Sequence, residues 1–121
     1  MKCNVGDIVL VTHFVYPNGK PGSLHSFVIM DINKDEFELV NLDYLCFLIP
    51  SNISKSNDAN SRYPYNEPIL PTAESGLLTK SHVVCDVLYN IKENDIIMRV
   101  GSIDANQYKL FMDLYKKSLQ S

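Results

Sequence analysis

The sequence has no tryptophan, only three cysteines, and no C-x-x-C or Cys/His spacing of the kind that holds a metal. An odd cysteine count argues against a disulfide framework. Cys46 and Cys85 also sit inside apolar segments, where a free thiol behaves as a small hydrophobe. These are the reduced cysteines expected of a cytoplasmic protein. Long apolar runs are missing too: the longest, Tyr44 to Pro50, is far too short to span a bilayer. The start, Met1 to Asp7, lacks the apolar stretch and cleavage site of a signal peptide, so the expectation is a cytoplasmic protein with no membrane partner. Positive charge is scarce, with 11 Lys+Arg against 14 Asp+Glu and a formal net charge of −3. That excludes a general nucleic-acid coater, whose affinity comes from neutralised phosphates. A local groove with a few cations is still compatible with it, because net charge is silent on distribution. Absent as well are the P-loop, the dinucleotide fingerprint, H-E-x-x-H and G-x-S-x-G. His13, His25 and His82 are scattered, and no metal or cofactor is expected from their spacing.

What is present is globular. The chain has 121 residues, 45% of them hydrophobic and 21% charged, which suits one domain over 1–121 with a single sizeable core. Asp7 to Val15 is β-branched and apolar on both faces, as a central strand would be. Tyr16 to Ser23 is dense in turn formers. Ser26 to Ile32 reads as a second buried strand, Phe37 to Leu42 as an alternating third, and Tyr44 to Ile49 as its continuation after a bend at Asp43. Ser51 to Glu67 then breaks the pattern with a long polar insert, and a loop of that length in a compact domain is either functional or mobile. Pro68 to Pro71 and a turn at Gly76 lead into two last strands, Ser81 to Tyr89 and Ile96 to Val100.

One helix closes the chain. Asp104 is a good N-cap, Gln107 completes a capping box, and Ile103 and Tyr108 occupy hydrophobic-staple positions. Tyr108, Phe111, Met112, Tyr115 and Leu119 recur on one face, widened by Leu110 and Leu114. The expected fold is mainly β: a curled, mostly antiparallel sheet forming a small β-barrel with a C-terminal α-helix.

Among the histidines, His25 is the chemical candidate. It stands where a glycine-containing loop enters a buried strand, and imidazole can act as acid or base near neutrality. His13 and His82, inside strands, read as structural. Asp86 is a carboxylate within an apolar strand, where it is expected to cap a turn or bind backbone donors. Arg62, Tyr63 and Tyr65 could make a basic-aromatic patch for base stacking and phosphate contact, or simply belong to a solvated loop.

Gly6-Asp7-Ile8-Val9, then Phe14, Pro17, Gly19 and Gly22, resembles the opening of the MazF/PemK family of bacterial toxin endoribonucleases. Ser81 to Asp86 resembles that family's S-V-V-x-x-D strand, and Arg99 to Asp104 its closing R-x-G-x-[LI]-[SD] segment. The resemblance implies an SH3-like, plasmid-toxin-type barrel and a homodimer with a groove for single-stranded RNA such as mRNA, with DNA not a substrate. It also implies metal-independent cleavage by 2′-OH attack, leaving a 2′,3′-cyclic phosphate, and a small antitoxin protein that neutralises the toxin. The sequence departs from the family at its site. His25-Ser26 stands where the family has arginine and proline, Pro50-Ser51 falls at its catalytic threonine, and Val87 and Tyr89 replace its late Gln and Arg. The first loop carries Lys20 where an acidic residue is common. Two accounts follow. In one the site is rewired, with His25 and Ser51 catalytic and Lys20, Ser23, Arg62 and Tyr63 binding RNA. In the other, catalysis is lost and the fold serves as a binding module for a protein or RNA partner. A third, an SH3-like adaptor, would need Tyr16, Tyr44, Tyr63, Tyr65 and Tyr89 to line a peptide groove.

Overall fold

A computed structural model describes residues 2–34, 37, 41–50 and 64–120. Six strands form one antiparallel sheet: β1 (Asp7–Val15), β2 (Pro21–Lys34), β3 (Asn41–Ile49), β4 (Asn66–Ile69), β5 (Ser81–Ile91) and β6 (Ile96–Ser102). The spatial order is β4-β5-β3-β2-β1-β6, followed in sequence by one helix, α1 (Ala105–Gln120). The chain is therefore mainly β with a C-terminal helix.

Alternation along the strands divides the apolar residues between two faces, as the period of two requires. Val9, Val11, Phe14, Phe27, Ile29, Tyr44, Cys46, Leu48, Tyr89 and Ile91 form one cluster on one face. On the other, Ile8, Val28, Met30, Phe47, Val83 and Cys85 pack with Phe111 of α1. The first cluster is enclosed because the sheet curls on itself. Tyr89 of β5 meets Phe14 of β1 and Phe27 of β2 with ring centroids 5.9 and 5.4 Å apart, although neither strand is its ladder neighbour. Shifts in register between Ile8 and Val9 and between Cys46 and Leu48 supply local bends, as bulges do.

Among the described residues strand pairing does not close the curl into a barrel: β4 and β6 are the two ends of the ladder. A turn spans the gap instead. The Ser75 hydroxyl donates to the Leu70 carbonyl (2.9 Å) and accepts from Thr72 N (3.0 Å), while Gly76 N donates to the Thr72 carbonyl (2.9 Å). The knotted turn then accepts a hydrogen bond from Ser102 N of β6 at the Glu74 carbonyl, 2.7 Å away. Space is tight here, since a Cβ on Gly76 would stand 2.0 Å from the Val100 carbonyl oxygen.

The helix starts where the sequence places it. Gln107 N donates to Asp104 Oδ1 (2.8 Å) and Asp104 N to Gln107 Oε1 (2.9 Å), a reciprocal capping box. Tyr108 donates its hydroxyl proton to the Met30 carbonyl (3.0 Å), tying α1 to β2. The apolar stripe is narrower than the sequence suggests. Phe111 is buried and Tyr108, Met112, Leu114 and Tyr115 pack partly, whereas Leu110 and Leu119 are exposed.

Other boundaries differ as well. β2 begins at Pro21 rather than Ser26, because the Tyr16–Lys20 turn is tight: Tyr16 N donates to the Lys20 carbonyl and Gly19 N to the Tyr16 carbonyl, 2.9 Å each. Proline at the first position of a strand takes no donor from the ladder. Phe37 lies in a turn, and the described strand starts at Asn41 and runs through Asp43. β4 was unforeseen, and it tolerates Pro68 because it is an edge strand.

Candidate functional site

Two of the three motifs that carry the family resemblance, the one opening at Gly6 and the one from Arg99 to Asp104, are neighbours. Arg99 Nε donates to Asp7 Oδ1 (2.9 Å), and Asp7 Oδ2 accepts from Asn4 N (2.9 Å). Gly6 N donates to the Ile29 carbonyl (2.7 Å), and Ile103 N donates to the Gly6 carbonyl (2.8 Å). Asp7 is buried, so its carboxylate is satisfied inside the fold by a backbone amide and a guanidinium. These residues hold β1, β2, β6 and the start of α1 together, which is a scaffold role.

His25 lies in β2 opposite Val11 of β1. Its Nδ1 stands 2.8 Å from the Ser23 carbonyl, and a carbonyl can only accept, so Nδ1 carries a proton and, in the neutral ring, Nε2 is the basic nitrogen. The ring is edge-on to Phe14 at 5.5 Å, part of an aromatic group with Tyr16, Phe27 and Tyr89. Immediately before it, Leu24 has φ of 46°, a left-handed conformation that costs a leucine roughly 1–2 kcal/mol. The strained residue turns the chain just where His25 is presented.

His25 and Pro50 both border a cavity of about 490 Å³, whose walls include Leu10, Leu24, Ile49, Leu78 and Val100. Pairing explains the meeting, because Ser26, inside β2, is opposite Ile49, the last residue of β3. The structure thus brings together His25 and the residue that precedes Ser51. Ser51, Arg62 and Tyr63 themselves lie outside the described residues. Lys20 is exposed at the β1–β2 hairpin tip, with its backbone N donating to Asn18 Oδ1 (3.0 Å), and it does not line the cavity. Ser23 contributes its carbonyl to His25 rather than a hydroxyl to the cavity wall. Among the described residues the wall bears no Asp, Glu, Lys or Arg, and two of its leucines are exposed, Leu24 by 57% and Leu78 by 95%.

Two side-chain atoms are buried without a hydrogen-bond partner among the described residues: His82 Nδ1 and Asp86 Oδ1, both on β5. Burial pushes the Asp86 carboxyl above its usual range. The expected structural role of Asp86, binding backbone donors, is met only in part, by a hydrogen bond with its own backbone. His82 is half-buried and was read from the sequence as structural; an unpartnered nitrogen is poor support for that reading. No linear signal singles it out, since it is one polar residue in an alternating strand.

The adaptor reading loses its groove. Tyr44 is wholly buried, its hydroxyl accepting from Cys3 N (3.1 Å) and donating to Glu93 Oε1 (3.3 Å), and Tyr89 is buried in the aromatic group. Among the described residues no group of three or more His, Cys, Asp or Glu could hold a metal ion, and no helix is long and apolar enough to cross a membrane. No family model matches the chain, and no curated protein is similar to it.

Proposed function

We propose that this protein is a toxin of the MazF/PemK type, with an SH3-like, plasmid-toxin-type barrel. In this reading it is a cytoplasmic homodimer that cleaves single-stranded RNA without a metal and is neutralised by a small antitoxin. His25 takes the 2′-OH proton and Ser51 donates its hydroxyl to the phosphate, with Lys20 and Arg62 supplying positive charge. The observation that carries the proposal is the convergence of His25 with Pro50, the neighbour of Ser51, at one cavity although 25 positions separate them in sequence. Those are the two places at which the family resemblance locates catalysis. A set tautomer at His25 adds to it, since in-line attack needs a base already oriented toward the ribose hydroxyl.

The test is induced expression followed by mapping of RNA 5′ ends, with His25→Ala and Ser51→Ala in parallel. New 5′-hydroxyl ends at a recurring sequence are expected for the natural protein and not for either variant. Intact RNA with normal growth would remove the enzyme reading. Equal cutting by His25→Ala would remove the site assignment and leave the class.

One observation favours a second reading, a binding module without catalysis. Among the described residues the cavity beside His25 is lined without Asp, Glu, Lys or Arg and rimmed by exposed Leu24 and Leu78, which suits an apolar segment of a partner better than a phosphate.

A further inference from the structure

Cleavage through a cyclic phosphate requires two proton transfers, one from the 2′-OH and one to the leaving 5′-oxygen. His25 accounts for the first. The geometry points to His82 as the general acid for the second, an inference that rests on the ribonuclease reading above and adds its missing partner.

Phe27 of β2 pairs with Leu48 of β3, and Leu48 pairs with Val84 of β5, so these three residues form one row across the sheet. β2 and β5 are each antiparallel to β3, hence they run in the same direction. His25 is two residues before Phe27 and His82 two residues before Val84. Pairing is regular over both steps, from Val9↔Phe27 to Val11↔His25 and from Asn66↔Val84 to Pro68↔His82. With a side-chain period of two, His25 and His82 therefore share a face and stand at the same end of the sheet. β3 lies between β2 and β5, so in the row of Phe27, Leu48 and Val84 those two strands stand about 10 Å apart at the usual strand spacing, and β3 ends one residue beyond Leu48. The face is the inner one of the curl, where Phe27 and Tyr89 already meet across the sheet, so side chains on it lean toward one another. Two imidazoles on one face in one row are the arrangement that acid–base cleavage of a single phosphodiester needs, and the cavity beside His25 is bordered by Ser81, the residue before His82.

The second observation is independent of register. His82 Nδ1 is buried with no hydrogen-bond partner among the described residues. A histidine kept for packing normally has its nitrogens satisfied, because an enclosed unpaired polar atom costs roughly 1–3 kcal/mol. Such a cost is retained where a group has work to do other than holding the fold.

The step balances without any further reactant. His25 Nε2 takes the proton of the 2′-OH while the 2′-oxygen forms a bond to phosphorus. The bond from phosphorus to the 5′-oxygen breaks, and protonated His82 gives its proton to that oxygen. The products are a 2′,3′-cyclic phosphate and a free 5′-hydroxyl. Exchange with water returns both imidazoles to their starting states.

The test uses a short oligoribonucleotide spanning a cleavage site mapped in cells, made with either oxygen or sulfur at the scissile 5′ position. A thiolate leaves without a proton, so it bypasses the acid but not the base. His82→Ala should cut the oxygen substrate about 10²–10⁴-fold more slowly and the sulfur substrate within a few-fold of the natural protein. His25→Ala should slow both alike, and His13→Ala, on the exposed end of β1, should slow neither. Because the ratio of the two rates does not depend on how much protein is folded, it stays readable for a poorly folding variant, and His82→Gln gives a second one. Equal slowing of both substrates by His82→Ala, or no slowing, overturns the assignment while His25 and the ribonuclease reading stand. Failure of the natural protein to cut either substrate overturns the reading itself and this inference with it.

Discussion

Replacing Gly76 by alanine tests how the sheet is sealed. Gly76 has φ of +67°, and its Cβ would lie 2.0 Å from the Val100 carbonyl oxygen and 2.8 Å from the carbonyl carbon. An ordinary contact needs more than 3.4 Å, so turn and strand must part by over 1 Å. Val100 has little freedom to move, because its neighbours Arg99 and Gly101 are paired to Val9 and Ile8 of β1. Three costs add. Left-handed backbone costs an L-residue about 1 kcal/mol. Overpacking against fixed backbone costs about 1–3 kcal/mol. Loss of the Ser102 N to Glu74 carbonyl bond costs about 1 kcal/mol. The sum, about 3–5 kcal/mol, is a large part of the total stability of a domain this size. Gly19→Ala is the matched control: its φ is +87°, but nothing lies within 4 Å of its Cβ, so only the first cost applies. Urea denaturation of the two variants and the natural protein measures the difference, expected at about 2–4 kcal/mol. Equal losses for both variants would show that the turn does not press on β6, and the sealing of the curl would have to be sought elsewhere.

Two further outcomes follow from buried groups. Burial holds the Cys85 thiol up at about 12, with Glu67 and Asp86 adding to the shift, and raises Cys46 further, so neither should react with a thiol-specific disulfide reagent at pH 8 until urea unfolds the chain. Rapid labelling of either in the native protein would mean that the curl opens freely. Burial also raises the Asp86 carboxyl above 3.8, so the folded chain keeps that proton to higher pH than the unfolded one and loses stability as pH rises through the window between the two values. Asp86→Asn should therefore raise the urea midpoint at pH 7 and flatten its acid-side slope; a lower midpoint would show that the carboxylate is paired.

Local chemistry was legible in the chain. Asp104 and Gln107 cap the helix as their types and spacing require, and Asp7 to Val15 forms the central strand that its apolar residues demand. What escaped depends on partners distant in sequence. The four residues of β4 carry too little pattern to be read alone, and exist because β5 offers Val83 and Val84 opposite Glu67 and Asn66. The exposure of Leu119 could not be inferred from helical spacing, because it depends on where the sheet under α1 ends. Asp7 and Arg99 were visible as motif residues, but their ion pair spans 92 positions. The candidate site divides in the same way. His25 stood out from its loop, whereas His82 gains meaning only from the register that puts it on the same face.

The most direct measurement is sequencing of RNA 5′ ends after a brief pulse of expression, with the His25→Ala variant alongside. The ribonuclease account predicts new 5′-hydroxyl ends at a recurring short sequence for the natural protein and their loss in the variant. RNA left intact by both would contradict it.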